Sequence, residues 1–362
     1  MSDFKSNQKE NFHQKQSSYF IKTFGCQANE ADSERLAAAL EKQAYRLAKK
    51  INEAQLVIIN SCSVRESAEN RVFGLVNNLV KKKKEGQKII LTGCMVGSAK
   101  GERRRYSLRQ LKLKLPGVDE FKTIEALIDS EKISPKRLKK TSALVPIMEG
   151  CNHFCSYCVV PYARGEEISR SFEEIVCEVE KLAKDGYKEI ILLGQNVNSY
   201  QPSFAKLLRE IHKIKGIKKI SFLTSNPWDL TDEIIKAMSL PKIDRYLHLP
   251  VQSGDDQILR KMNRPYTALQ YLQLVEKIRQ KIPEIKIGTD IIVGFPDESR
   301  KAFAKTVHLC QKVGFVKAYI ARYSPRPGTA AARLKNDVSD EEKKRRWRVL
   351  EELINKKLIN KN

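Results

Sequence analysis

The residues in this sequence with the most to offer chemically are its cysteines. Cys151, Cys155 and Cys158 fall close together in "GCNHFCSYC". The spacing C-x3-C-x2-C places three soft sulfur ligands on one short loop. Three thiolates suffice for three irons of a 4Fe-4S cluster and leave the fourth iron open to a small molecule. Zinc is the rival metal, since C-x2-4-C spacing also suits it, but a closed zinc site needs a fourth ligand. His153 is a candidate for that ligand, at a cramped position inside the loop. Ligand softness and the count of three favour iron–sulfur.

A second set is spread along the chain. Cys26 ends "YFIKTFGC", Cys62 follows "LVIINSC" and Cys94 follows "IILTGC". Each stands one or two positions beyond an apolar run that reads as a parallel strand. Parallel strands of one sheet present their C-terminal ends on one edge, so the three thiols are expected to converge. One buried cysteine at a strand end would be ordinary packing. Three in equivalent positions point to a second metal site, again with three ligands and no fourth. Cys177 and Cys310 lie on or near apolar helix faces and are assigned no function.

The elements that must position these thiols come in two blocks. Over residues 18–131, "YFIKTF" (19–24), "LVIIN" (56–60) and "KIILTG" (88–93) alternate with helical patterns such as "DSERLAAALEKQAYRLA" from Asp32. That alternation is the signature of an α/β fold with a wound parallel sheet. "KISPKRLKKTSA" (132–143) reads as a linker. Over 144–338, six more strands are expected: "VPIM", "EIILLG", "KISFLT", "RYLHLPV", "KIGTDIIVG" and "KAYIARYS". With helices between them they predict a partial (β/α)6 barrel, or else another doubly wound sheet. In one such helix Phe172, Ile175, Val176, Val179 and Leu182 share a face. The loop carrying Cys151 follows the first of these strands, at the edge where α/β folds bind ligands. Residues 339–362 read as a single C-terminal helix. Ser339 and Glu342 form a capping-box pattern there, ahead of an apolar stripe of Trp347, Leu350, Leu353, Ile354 and Leu358.

Composition sets the context. Residues 1–17 are polar and read as a disordered tail without a signal-peptide core. No apolar run approaches the roughly 18 residues needed to span a bilayer, so a cytoplasmic protein with no membrane contact is expected. Eight cysteines without a secretory context suit metal binding better than disulfides. Lys plus Arg number 67 against 43 for Asp plus Glu, a formal charge of +24. Such an excess attracts nucleic acid, although a lysine-rich proteome would give the same balance. The cations cluster at Lys81 to Lys84, Arg103 to Arg105, from Lys136 and from Lys343. Each run taken alone reads as a solvated face.

The two cysteine sets and the strings around them resemble the radical S-adenosylmethionine methylthiotransferases. In the first block "GCQANEADSE", "NSCSVRESAENRV" and "GCM" carry the likeness. In the second it is carried by "GCNHFCSYCVVPYARGEEISR", "LLGQNVNSY", "HLPVQSGDDQILRKMNRPYT", "TDIIVGFPDES" and "YSPRPGTAA". "GCQ", "CSVRE" and "GQNVNSY" look most like the tRNA branch (MiaB-type), which acts on isopentenylated adenosine beside the anticodon. The resemblance covers about residues 18–338 and implies two 4Fe-4S clusters and S-adenosylmethionine as cofactors. Cys151, Cys155 and Cys158 would ligate the cluster whose open iron is chelated by the amino and carboxylate groups of S-adenosylmethionine. Electron transfer from a donor such as flavodoxin or ferredoxin would then release a 5′-deoxyadenosyl radical. Cys26, Cys62 and Cys94 would hold an auxiliary cluster carrying the sulfur to be inserted at C2 of adenine. The aromatic C–H bond there has no acidic proton, so a general base would not suffice.

Further residues follow with alternatives attached. Gly194, Gln195, Asn196 and Gly294 line the S-adenosylmethionine pocket or serve as structural turns. Tyr157 contacts adenine or simply packs. Arg164 and Arg170 meet RNA phosphate or pair with Glu166, Glu167 or Glu173. The partner would be a tRNA anticodon stem-loop, whose unstacked loop bases an enzyme can reach, and the protein would act as a monomer. The sequence departs from the family at Asp297, where glycine is expected, and after the Met of "GCMVGSAK". The family usually continues into a small RNA-binding β-barrel, the TRAM domain; the sequence ends at Asn362, so that barrel is expected to be absent. The alternatives are a sibling branch acting on threonylcarbamoyladenosine or a ribosomal-protein aspartate, and a zinc-containing, non-catalytic RNA-binding protein.

Overall fold

The strands form where Ile, Leu and Val run uninterrupted, because a parallel strand is buried on both faces and needs no polar alternation. The computed structural model describes residues 17–64, 66–100, 107–128 and 133–356. The tail over 1–16, Arg65, Arg103 to Arg105, residues 129–132 and the end of the last helix, including Leu358, lie outside the described residues.

The N-terminal sheet is built from β1 (Ser18–Thr23), α1 (Gln27–Lys42), β2 (Arg46–Leu47), β3 (Leu56–Ser61), α2 (Glu66–Lys81), β4 (Lys88–Gly93), α3 (Cys94–Lys100), α4 (Leu108–Lys114) and β5 (Glu120–Phe121). The order is β2-β1-β3-β4-β5, with every pair parallel. Val57, Ile59, Ile89 and Leu91 are buried on one face with α2, and Ile58 and Ile90 on the other with α1. Two expectations shift. α1 starts at Gln27, five residues before Asp32, with Cys26 as its N-cap, whose side chain accepts no capping bond from the backbone. It ends at Lys42, where Ala44 turns to a φ of 63° and leads into β2.

The second body comprises β6 (Ser142–Pro146), β7 (Met148–Glu149), α5 (Val160–Arg164), β8 (Ile168–Ser169), α6 (Phe172–Lys184), β9 (Glu189–Leu193), α7 (Phe204–Lys213), β10 (Lys219–Phe222), α8 (Asp232–Met238), β11 (Tyr246–His248), α9 (Asp256–Lys261), α10 (Ala268–Lys281), β12 (Lys286–Val293), α11 (Arg300–Val313), β13 (Lys317–Arg322) and α12 (Asp340–Leu350). The parallel trios β6-β9-β10 and β11-β12-β13 are joined by a bridge from Ile220 in β10 to Ile243, just ahead of β11. The result is an open arc of six parallel strands, a partial barrel. Its outer face packs on the helices through one large apolar core that also takes in Ile175, Val179 and Leu182 of α6 and Cys310 of α11. Cys177, by contrast, is exposed.

Three details differ from the sequence pattern. The first barrel strand is split: β6 starts at Ser142, and β7 pairs antiparallel with β8 to close the neck of the cysteine loop. Chain 136–138 is held tightly on α1, with Lys136 and Leu138 N–H groups donating to the Glu34 carbonyl and carboxylate. The capping box at Ser339 forms by half: its hydroxyl accepts from Glu342 N–H, but the Glu342 carboxylate turns to Arg345 and Arg346. After α12 the chain continues as a π-helical turn over Glu351–Lys356.

The Arg164 and Arg170 expectations are corrected. Arg164 pairs with Asp32 of α1 at 2.8 Å and Glu149 at 2.7 Å, because α5 ends against the N-terminal sheet body. Arg170 pairs with Glu178 nearly two turns into α6 and donates to Pro146 carbonyl. Several cations from the basic runs are likewise internal. Arg137 is buried between Glu34 and Glu178, Arg346 against Glu298, and Lys343 beneath Gly294. Among the described residues no helix is long and apolar enough to cross a membrane.

Candidate active site

The spread-out cysteines stand at three neighbouring strand-to-helix junctions. β1, β3 and β4 are adjacent, with Thr23 paired to Asn60 and Ser61 to Gly93. Cys26 caps α1, Cys62 follows β3, and Cys94 is the first residue of α3. All three therefore lie on the C-terminal edge of the sheet, where helix N-termini favour negative charge. Cys62 and Cys94 are buried and Cys26 is exposed. Asn29, fully buried, lies among them: it accepts from the Cys26 thiol at 3.5 Å and its amide nitrogen is 3.9 Å from Cys94 Sγ. Asn29 is in turn held by Asn60, through paired amide and backbone bonds. Gly93 has to be glycine: its φ is 82°, and a Cβ would meet Asn60 Oδ1 at 2.3 Å.

The clustered cysteines sit across the mouth of the arc. Gly150, with φ 78°, lets the chain enter the loop against the Glu166 carbonyl, where a Cβ would lie 1.8 Å away. Cys151 N–H donates to Gly165 carbonyl and Cys158 N–H to Cys155 carbonyl, so the three sulfurs share one tight turn. Burial, with the neighbouring cysteine sulfurs adding to it, pushes the Cys151 thiol up to about 11 and the Cys158 thiol to about 12. Such thiols ligate only when a metal displaces their protons.

The loop is held on two flanks. On one, Gly150 N–H donates to Gln195 Oε1 at 2.7 Å, and His153 Nε2 lies 2.7 Å from Asn196 Nδ2 and 3.2 Å from Asp229 Oδ2. Burial alone would raise the Asp229 carboxyl, but bonds from His153, Ser199 and Asn226 outweigh it and hold it far below the usual range. His153 is thus engaged by the strand ends and by an edge contact with Trp228 at 4.9 Å, not aimed as a fourth metal ligand. On the other flank, Ser156 N–H donates to Met262 carbonyl, Ser156 hydroxyl to Lys261 carbonyl, and Ala331 N–H to Ser156 carbonyl. Tyr157 packs with Phe295, Ile258 and Tyr323.

The sequence-derived pocket residues divide between these flanks. Gly194, Gln195 and Asn196 are on the first, with Gly194 tight against Met148. Tyr157 and Gly294 are on the second, where the Gly294 N–H donates to Glu298 and its open face is filled by Lys343. Asp297, at the position where glycine was expected, has a φ of 65° and pairs with Lys261 at 2.5 Å. The left-handed conformation that favours glycine is kept, and aspartate tolerates it while gaining a partner.

Sequence reasoning missed the residues that join the two cysteine sets. Gly97 of α3 brings its backbone against Ala163 of α5, where a Cβ would lie 2.2 Å from the carbonyl oxygen. Burial opposes the charge of Arg164, and Cys94, Asp32 and Glu149 outweigh it, so this guanidinium lies within electrostatic reach of the Cys94 sulfur. Arg326, in the turn after β13, donates to Ser63 carbonyl and pairs with Glu69 at 2.7 Å; Ser324 hydroxyl donates to Glu66. The same turn reaches Ser156 through Ala331. One short segment therefore touches the residue after Cys62 and the residue after Cys155. The two cysteine-bearing edges face each other.

The donor sets suit iron–sulfur clusters. No two of the eight cysteines are bonded to one another. N–H groups point at the sulfurs: Val64 to Cys62, Val160 to Cys158 and Arg264 to Cys155, each at 3.4 Å. Such N–H···S bonds are a standard means of tuning a cluster. Among the described residues no three His, Cys, Asp or Glu side chains close on a single ion; a cube holds its thiolates apart, at separate corners.

Comparison with known proteins agrees with this geometry. Residues 145–310 match the Radical SAM superfamily, and residues 18–110 match the Uncharacterized protein family UPF0004. In solved structures the fold recurs in the radical S-adenosylmethionine methyltransferase TsrM from Kitasatospora setae, at a TM-score of 0.62 and 13% identity over 88% of this chain and 77% of that one. Arc, cysteine loop and match together define a radical SAM enzyme, which works with S-adenosylmethionine and a 4Fe-4S cluster. A curated relative from Dehalococcoides mccartyi, named tRNA-2-methylthio-N(6)-dimethylallyladenosine synthase, is 46% identical over 92% of this chain and 82% of its own length. One of the same name from Clostridium perfringens is 41% identical over 95% of this chain and 83% of its own length. The chain belongs to the tRNA-2-methylthio-N(6)-dimethylallyladenosine synthase family.

Proposed function

We propose that this protein adds a methylthio group to C2 of dimethylallyladenosine next to the anticodon of tRNA. The observation that carries the reading is the pair of cysteine triads facing each other across one interface, spanned by Arg164 and Arg326. Residues 18–131 form the auxiliary-cluster domain on Cys26, Cys62 and Cys94. Residues 144–338 form the radical core on Cys151, Cys155 and Cys158, with 132–143 as the connection. The bound clusters and S-adenosylmethionine supply sulfur and one-electron chemistry for an unactivated C–H bond.

The chain's own residues supply position. Gln195 fixes the backbone at Gly150, and Asn196 and Asp229 fix His153, so the loop presents its sulfurs in one orientation. Gly194, Gln195 and Asn196 on one flank and Tyr157 and Gly294 on the other frame S-adenosylmethionine. The net charge of +24 draws an anticodon stem-loop electrostatically, and the target base leaves its stack to enter the mouth of the arc. A low-potential flavodoxin or ferredoxin supplies electrons, and the protein acts as a cytoplasmic monomer.

The test is nucleoside analysis of tRNA from a strain lacking the gene. Methylthio-dimethylallyladenosine disappears and dimethylallyladenosine accumulates. Unchanged methylthio-dimethylallyladenosine, with loss of a methylthio-threonylcarbamoyl nucleoside instead, moves the assignment to a sibling substrate.

A further inference from the structure

We propose that Arg264 is the built-in counter-charge of the cluster held by Cys151, Cys155 and Cys158, and that it raises the reduction potential of that cluster. The proposal rests on the reading that this triad holds a 4Fe-4S cluster. The starting observation is a contrast among buried arginines. Arg137, Arg164, Arg326 and Arg346 are each paired with carboxylates. Arg264 is 8% exposed, yet among the described residues no carboxylate pairs with it. Its Nη2 donates to Pro250 carbonyl at 2.9 Å and its Nε to Tyr266 hydroxyl at 3.3 Å. Its guanidinium lies 4.7 Å from the Trp228 ring centroid and 5.5 Å from that of Tyr266. The remaining donor, Nη1, is directed at Cys155 Sγ, 3.4 Å away.

A buried cation without an opposite charge is costly. Every contact of Arg264 is neutral except the one to sulfur, so the anion that balances it is at the cysteine loop. A 4Fe-4S core on three thiolates carries one net negative charge when oxidised and two after taking up one electron from its donor. A fixed cation stabilises the doubly charged state more, and an N–H···S bond acts in the same direction. Arg264 therefore makes the cluster easier to reduce. Its reach is preset by the turn after α9. Asn263, at a φ of 56°, donates its side-chain amide to Phe154 carbonyl, and Met262 carbonyl accepts from Ser156, so the turn is fastened to the loop on both sides of Cys155.

The experiment uses protein with Cys26, Cys62 and Cys94 changed to Ala, so that the loop cluster alone is observed. Potentiometric titration followed by electron paramagnetic resonance gives its midpoint. Arg264→Gln is expected to lower the reduction equilibrium at least tenfold, about 59 mV more negative for one electron. Arg264→Lys, which keeps the charge, falls between Gln and the parent, while Trp228→Phe leaves the midpoint in place. An unchanged midpoint in Arg264→Gln at full iron content overturns the proposal. A parent that binds no cluster overturns the underlying assignment of the triad instead. A second measurement covers variants that load poorly. The Tm difference between iron-loaded and iron-free protein shrinks in Arg264→Met, because the cluster no longer relieves a buried charge; an undiminished difference also overturns the proposal.

Discussion

The two cysteine triads are assembled by opposite routes. Cys26, Cys62 and Cys94 are fixed by sheet register: three adjacent parallel strands deliver them to one edge, and Asn29 and Asn60 lock the junctions. Cys151, Cys155 and Cys158 are close in sequence but sit on a loop, so their geometry has to be imposed from outside. Gln195, the turn carrying Met262 and Arg264, and Ala331 do this from three other parts of the chain. Rigid strands position without help; a loop that must also leave room for a cosubstrate needs staples.

The sharpest way to break the comparison is to remove one ligand from each triad. Cys151→Ala abolishes 5′-deoxyadenosine formation and lowers iron from about eight per chain to about half; persistent cleavage of S-adenosylmethionine would overturn the assignment of the loop. Cys94→Ala also halves the iron but leaves 5′-deoxyadenosine formation intact while the methylthio nucleoside is lost. If both variants lose cleavage equally, the triads are not separate in function.

The join between the triads comes next. Arg326→Met removes the ion pair to Glu69 and the bond to Ser63 carbonyl, and costs about 1–3 kcal/mol in urea unfolding. It also raises the ratio of 5′-deoxyadenosine to methylthio product, since the two edges lose a tie. A parental ratio would show that the tie is structural only. Gly93→Ala and Gly150→Ala then compare the two scaffolds directly. Each places a Cβ in a left-handed backbone and costs on the order of 1–3 kcal/mol of strain. Iron leaves the auxiliary triad in the first and the loop triad in the second, as Mössbauer or paramagnetic resonance spectra would distinguish. The smallest effect is expected from His153→Ala. Iron content stays at the parental value because His153 is not a ligand, and the Asp229 carboxyl rises toward its ordinary value with one partner fewer. A fall in metal content would restore His153 to the ligand set.

Strand positions and the placing of Cys26, Cys62 and Cys94 on one sheet edge were legible because both depend on local pattern. "LVIIN" and "KIILTG" can hardly be anything but buried strands, and a cysteine just past each end inherits its place from the strand. The staples were not legible. Arg264 sits in "KMNRPYT" among other cations, and nothing local distinguishes an arginine aimed at sulfur from one in solvent. The same holds for Arg346 and Lys343, which read as part of a basic surface but are buried against Glu298 and beneath Gly294. β7 and β8 have two residues each, too short for any period to show. Asn29 lies ahead of the helix expected from Asp32, and its partner Asn60 is on a separate strand, so nothing local marks it.

The contact from Arg326 to Ser63 has a consequence for timing. The two residues are 263 positions apart. At about 5–20 residues per second, a ribosome needs roughly 13–50 s to travel between them. During that interval the N-terminal sheet can form, while the segment after Cys62 lacks its last fastening and the opposing edge does not yet exist. Iron delivered early would meet an edge open to oxygen and solvent. The architecture thus favours filling the auxiliary site late, after the turn following β13 has closed over it.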